Sequence, residues 1–295
     1  RCFNVESAAE LERIEQVSSS MNMQAPISIR VNPNVDAKTH PYISTGLKEN
    51  KFGVDIDDAI ALYETAHQSE HINVQGLDCH IGSQLTDVSP FIDALDKVLA
   101  LIAKLADRGI EIAHLDLGGG VGIRYEDEVT IDISAYISSI LDKVGNLEII
   151  LEPGRAIVGN AGAFITKVEF LKQNSDKSFA IIDGAMNDLL RPAFYNAYHN
   201  VLPVRENAQG VEASWDLVGP ICETGDFLAK DRQLSLSAGD YLAVMSAGAY
   251  GFTMSSNYNS RPRVAEVMVS DTVHHLIRKR ETIQDLFNTE ILIND

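Results

Sequence analysis

Cysteine is scarce in this sequence, and its few occurrences exclude two classes of protein. Among 295 residues only Cys2, Cys79 and Cys222 occur, an odd number with none of the short spacings that hold a metal. A disulfide-stapled scaffold and a structural zinc module are both excluded on that count, and no metal site is expected. Positive charge is short too: 24 Lys and Arg stand against 42 Asp and Glu, for a formal net charge of -18. Such a surface repels a phosphate backbone and an anionic lipid headgroup, so neither nucleic acid nor membrane is an expected partner. Long apolar runs are missing as well. Val98 to Leu101 and Leu147 to Leu151 fall far short of the roughly 20 residues a spanning helix needs, and no charged-then-apolar leader opens the chain. A cytoplasmic protein acting on a small molecule is the expectation. Repeats and low-complexity tracts are absent, and the basic run Arg278-Lys-Arg reads as a solvated face. Arg1 is not an initiator Met and leads straight into the strand-like Cys-Phe-Asn-Val, which reads as a chain lacking its N-terminal portion.

What is present is a regular alternation. Ile27 to Val31, Val74 to Cys79, Ile112 to Leu117 and Leu147 to Leu151 are short β-rich runs separated by segments of helical period. Ser89 and Pro90 open the clearest helix as N-cap and first-turn residue. Leu95, Val98, Leu99, Ile102 and Ala106 then fall on one face until Arg108-Gly109 closes it. Asp55 to His67 and Ile133 to Val144 read as two more helices. Parallel strands joined by crossover helices follow, as a barrel or a doubly wound sheet. After about Asn160 the character changes to β-branched and aromatic runs bounded by turns: Ala163 to Leu171, Phe179 to Asp183, Ser214 to Val218, Tyr241 to Met245 and Arg263 to Val269. Two domains are expected, residues 1–158 built from βα units and residues 159–295 mostly β.

Chemistry concentrates where strands end. Leu115-Asp-Leu-Gly-Gly-Gly puts Gly118, Gly119 and Gly120 at a strand tip, where bare backbone can point N–H groups at an anion. An isolated glycine triplet is as often a plain turn. The next strand, however, ends in Leu151-Glu-Pro-Gly-Arg, which adds Gly154 for close approach and Arg155 for bidentate binding of phosphate or carboxylate. In (β/α) barrels the loops after the last two strands commonly form a phosphate site, and these are the last two before the β-rich region. Cys79-His-Ile-Gly-Ser sets His80 and Ser83 on the same rim.

Phe3-Asn-Val-Glu-Ser, His40-Pro-Tyr-Ile-Ser-Thr-Gly, Asn50-Lys-Phe-Gly, His80-Ile-Gly-Ser-Gln, Asp116-Leu-Gly-Gly-Gly, Glu152-Pro-Gly-Arg, Arg191-Pro-Ala-Phe-Tyr, Gly219-Pro-Ile-Cys-Glu and Gly248-Ala-Tyr-Gly occur in that order over nearly the whole chain. Together they resemble the bacterial diaminopimelate decarboxylases, which share their fold type with alanine racemase and ornithine decarboxylase. The resemblance implies a (β/α)8 (TIM) barrel with its N-terminal part missing, followed by a C-terminal β-sandwich or β-barrel-like domain. It implies pyridoxal 5'-phosphate as cofactor, with His80 stacked on its ring, Glu152 on the ring nitrogen, and Ser83, Gly118, Gly119, Gly120, Gly154, Arg155 and Tyr250 around the phosphate. It also implies meso-diaminopimelate as substrate, met by Arg155, Arg191, Tyr195, Glu223 and Tyr250, with Cys222 as proton donor and His80 also catalytic. A homodimer with shared active sites follows from the family, in which the residues matching Cys222 and Glu223 come from the partner.

One family feature has no match. The Schiff-base lysine lies in a Tyr-Ala-x-Lys-Ala-Asn type motif on the first barrel strand, and no segment here resembles it; Lys51 belongs to a different motif. The expectation is a chain holding roughly the last five of eight barrel strands and inactive by itself. The rival readings are a related decarboxylase acting on ornithine, arginine or carboxynorspermidine, and a non-catalytic binding relative.

Overall fold

The computed structural model describes residues 2–35, 51–206 and 210–293. The His40 to Gly46 motif and Asn50 lie outside these residues. The chain divides into two compact units, Arg1–Arg124 with Glu128–Ala156, and Tyr125–Asp127 with Ile157–Asp295.

The first unit alternates strand and helix: β1 (Phe3–Val5), α1 (Ala8–Ser20), β2 (Ala25–Asn32), β3 (Val54–Asp55), α2 (Ala59–Gln68), β4 (Ile72–Asp78), α3 (Ser89–Ala106), β5 (His114–Asp116), α4 (Ile133–Val144), β6 (Glu148–Ile150) and α5 (Gly154–Val158), which runs on into the second unit. Strands β1, β2, β4, β5 and β6 lie side by side in that order, every pairing parallel, with the short β3 paired to β2. Parallel neighbours need crossovers, and the helices supply them. Ile27, Ile29, Leu77 and Leu115 are fully buried in the sheet and pack with Leu95, Val98 and Leu105 of α3 in one apolar core. Because all five strands run the same way, their C-terminal tips share one rim.

Helix α3 differs from the sequence reading in two details. It starts at Ser89 itself, and Asp87 accepts from both the Ser89 N–H (2.9 Å) and its hydroxyl (2.7 Å), so Ser89 is not the cap. Its buried face is Phe91, Ala94, Leu95, Val98, Leu101 and Leu105, rotated from the expected one; Leu99 and Ile102 are half-buried and Ala106 is exposed. The large Phe91 ring, packed on Tyr136 at 5.0 Å between centroids, sets that rotation.

The second unit contains β7 (Phe164–Gln173), β8 (Ser178–Ile182), α6 (Arg191–Tyr195), β9 (Val201–Pro203), β10 (Val211–Val218), β11 (Phe227–Leu236), β12 (Tyr241–Val244), β13 (Glu266–Ser270) and β14 (Val273–Arg278). Six strands form one sheet in the order β11-β10-β8-β7-β12-β9, and β13 and β14 make a separate hairpin. Trp215, Leu217, Val168, Leu228 and Leu242 centre its own core.

Candidate active site

Adjacent parallel strands β4, β5 and β6 bring three loops together on one rim. The Cys79 N–H donates to Asp116 O (2.9 Å), Leu117 N–H to Ile150 O (3.0 Å), and Glu152 N–H to Gly118 O (2.8 Å), so strand pairing continues into the loops. The loops then close further than any side chain would permit. A Cβ on Gly119 would stand 2.3 Å from Glu152 O, and one on Gly120, where φ is +101°, would stand 2.3 Å from Gly82 O. Gly120 O in turn accepts from Leu85 N–H at 2.9 Å. Arg155, almost fully buried, crosses from the third loop to the first and donates from Nη2 to Ser83 Oγ at 3.1 Å. His80, Ser83, Gly118, Gly119, Gly120, Glu152, Gly154 and Arg155 therefore surround one place.

The charge states suit a flat, anionic, nitrogen-bearing ligand. Gly119 N–H donates to His80 Nδ1 at 3.2 Å, which requires a bare Nδ1. Burial, aided by the Arg30 charge, pulls the His80 pKa down to about 4, so the ring is neutral at ordinary pH. Glu152 has its pKa raised, first by burial and then by Asp116, with Arg30 opposing. Among the described residues, nothing beyond its chain neighbours and its own helix lies within 4 Å of where a Gly154 Cβ would stand. An acid, a neutral imidazole, and an arginine with a serine hydroxyl across a glycine-lined cradle form a donor set that fits pyridoxal phosphate.

The sequence reading passed over the charges around the rim. Asp78 and Asp116, both buried, end β4 and β5. Arg30 of β2 has its Nε 3.7 Å from Asp78 and donates from Nη1 to Glu6 at 2.8 Å. Glu6 also accepts from Gly53 N–H at 2.6 Å, and the guanidinium lies 4.8 Å from the Phe52 ring centroid. Two motifs with no assigned role, Phe3 to Ser7 and Lys51 to Gly53, thus hold Arg30. A signal existed: Asp78 closes its strand only two residues before His80.

Burial, then Asp116, pushes the Asp78 pKa up to about 7. The retained proton stabilises the fold at low pH, and that contribution is lost as pH rises to about 7. His80 acts oppositely. The fold keeps it neutral, so stability falls as pH drops from about 6.5, where the unfolded ring takes its proton, to about 4. Asp78→Asn removes only the first effect. Measured by urea unfolding of the cofactor-free protein, the difference in stability should move in the variant's favour by up to about 1.4 kcal/mol per pH unit from about pH 4 to 7.

In the second unit, Arg191 opens α6 with Pro192 behind it and is nearly buried. Its guanidinium lies 4.5 Å from the Tyr125 ring centroid. Tyr195 is half-buried against Phe194, with centroids 4.7 Å apart. Cys222 and Glu223 are exposed on a loop shaped by buried Asp226, which accepts from Ile221 N–H (2.7 Å) and Met186 N–H (2.7 Å). Tyr258 donates its hydroxyl to Glu223. Tyr250 is exposed at φ +58°, a left-handed conformation unusual for an aromatic residue and of the kind that collects at ligand sites.

Residues 1–159 match the family model described as pyridoxal-dependent decarboxylase, pyridoxal binding domain. The diaminopimelate decarboxylase of Vibrio cholerae is 56% identical over 296 residues, covering 99% of this chain and 71% of that protein. The chain belongs to the diaminopimelate decarboxylase family. The Pseudomonas aeruginosa member is likewise 56% identical, over 294 residues. Diaminopimelate decarboxylase from Helicobacter pylori, solved in complex with L-lysine, superposes with a TM-score of 0.93 at 44% identity, covering 97% of this chain and 72% of that one. Lysine/ornithine decarboxylase from Vibrio vulnificus shares the fold, with a TM-score of 0.75 at 21% identity. The family fixes the fold as a (β/α) barrel with a β domain and the cofactor as pyridoxal phosphate, both as expected from sequence. Among the described residues no helix is long and apolar enough to cross a membrane.

Proposed function

We propose that this protein removes one carboxylate from meso-2,6-diaminopimelate to give L-lysine and carbon dioxide, the last step of lysine biosynthesis, in the cytoplasm and as a homodimer. The observation that carries the substrate assignment is the nearly buried guanidinium of Arg191. Diaminopimelate has a second amino-acid end that must be recognised and left intact, which calls for a fixed cation on its carboxylate and an anion on its ammonium. Arg191, helped by Arg155 and Tyr195, meets the first need and Glu223 the second. An ornithine-type substrate has no second carboxylate and leaves such a cation without a task.

Bound pyridoxal phosphate supplies the electron sink for the pair of electrons left when carbon dioxide departs. Glu152 keeps a proton on the ring nitrogen, and its own raised pKa follows from burial beside Asp116. His80 lies against the ring as an uncharged surface. Ser83, Gly118, Gly119, Gly120, Gly154, Arg155 and Tyr250 hold the phosphate. Cys222 returns a proton to the substrate carbon, and its exposure on a braced loop suits service to a second copy of the chain.

The enzyme expressed from its complete reading frame should release carbon dioxide from meso-diaminopimelate with a kcat/KM at least about 10²-fold above that for ornithine, arginine or carboxynorspermidine. These 295 residues alone, with no segment matching the family's lysine motif, should release none. Equal turnover on ornithine would overturn the substrate assignment, and turnover by the 295 residues would overturn the lysine assignment.

A further inference from the structure

We propose that His199 is a positioning residue for Arg191, and through it for recognition of the substrate's second carboxylate; this rests on the role of Arg191 given above. His199 is fully buried in the second unit. Its Nε2 lies 2.9 Å from Arg191 Nη1, and its Nδ1 lies 2.8 Å from Met245 O. A guanidinium only donates and a carbonyl only accepts. The two contacts are satisfied together by a single form of the ring, neutral, with the proton on Nδ1 and the lone pair of Nε2 facing Arg191. The other tautomer would set N–H against N–H on one side and lone pair against lone pair on the other.

The ring is itself fixed. Met245 follows β12, whose Val244 pairs with Val201 of β9, and Met245 N–H donates to Asn200 O at 2.8 Å, so carbonyl and imidazole are set by the sheet. Arg232 Nη2 donates to the backbone O of His199 at 3.3 Å. Tyr125 meets the imidazole edge-on at 5.3 Å between centroids and lies 4.5 Å from the Arg191 guanidinium, closing the third side. Arginine is a long side chain with much rotamer freedom to lose. Arg191 is the first residue of the five-residue α6, and the contact with the imidazole restricts that freedom.

The test compares His199→Leu, His199→Gln and Arg191→Met in the cofactor-loaded enzyme expressed from its complete reading frame. L-Lysine keeps the recognised end of the substrate, and cadaverine has the same chain with neither carboxylate. In His199→Leu the inhibition constant for L-lysine and the KM for meso-diaminopimelate should each rise about tenfold or more, with kcat and the cadaverine constant within about threefold of the parent. His199→Gln, whose side-chain oxygen can accept from Arg191, should recover most of the loss. If Arg191→Met weakens L-lysine and a folded His199→Leu does not, the positioning role is wrong and the Arg191 reading stands. If Arg191→Met leaves L-lysine unchanged, the Arg191 reading itself is wrong. The unsubstituted enzyme gives an independent answer: 15N spectra of the histidine rings should show His199 protonated on Nδ1 alone, and a proton on Nε2 overturns the proposal.

Discussion

Arg191→Met is expected to raise KM for meso-diaminopimelate about 10²- to 10³-fold, with kcat falling much less. Truncating one partner of a buried, hydrogen-bonded charge pair costs about 2–5 kcal/mol, largely because the other charge is left in a dry site. On the proposed role of Arg191 the other charge is the substrate's second carboxylate, present in the ground state and the transition state alike, so the loss belongs mainly in KM. Met keeps an apolar stem of similar length in this buried position, and the fold should tolerate it. Steady-state kinetics on meso-diaminopimelate and ornithine check the claim, and selectivity between them should narrow by the same factor. An unchanged KM would mean that the guanidinium serves only the packing of α6.

The first unit was legible in the sequence to the extent that it repeats a simple rule. Buried parallel strands read as short apolar runs, each ended by glycine or a turn, so Val74 to Cys79, Ile112 to Leu117 and Leu147 to Leu151 lie close to β4, β5 and β6. Once three such tips were known to be neighbours, the gathering of His80, Gly118 to Gly120 and Glu152 to Arg155 followed from parallel topology. The rotation of α3 was harder, because aliphatic residues fill more than one face and a tertiary contact, Phe91 on Tyr136, decides between them.

The second unit hid more. Strand β11 was missed because Lys230, Asp231 and Arg232 interrupt it; it lies at the edge of its sheet, where charged residues are common, and Asp231 takes a left-handed φ of +55°. Strands β9 and β14 were also unread. The grouping brings Tyr125 from a distant segment to Arg191 and His199, which are themselves eight residues apart, and no local pattern marks it. The polar ring of Arg30, Asp78 and Asp116 was passed over for a different reason. Strand pattern reading looks for apolar periodicity, and a strand end that faces a ligand breaks that pattern where the function lies.

The same division between fold and ligand predicts opposite results at two glycines on the rim. Gly119→Ala should destabilise the cofactor-free protein by about 1–3 kcal/mol, because its Cβ would stand 2.3 Å from Glu152 O. That obstacle is backbone, so no rotamer change relieves it. The loop carrying Glu152 must shift, and the bond from Glu152 N–H to Gly118 O, now 2.8 Å, must stretch. Cofactor affinity should fall with it. Among the described residues Gly154→Ala meets nothing within 4 Å beyond its chain neighbours and own helix, so the melting temperature of the cofactor-free protein should hold; with Gly154 in its proposed place at the phosphate, the new methyl group should lower the affinity for pyridoxal phosphate. Thermal unfolding without cofactor and an absorbance titration with it separate the two effects. A Gly154→Ala variant that binds the cofactor as tightly as the parent would remove the third loop from the phosphate site, and a Gly119→Ala variant of parental stability would mean that the close approach of the second and third loops is not needed by the fold.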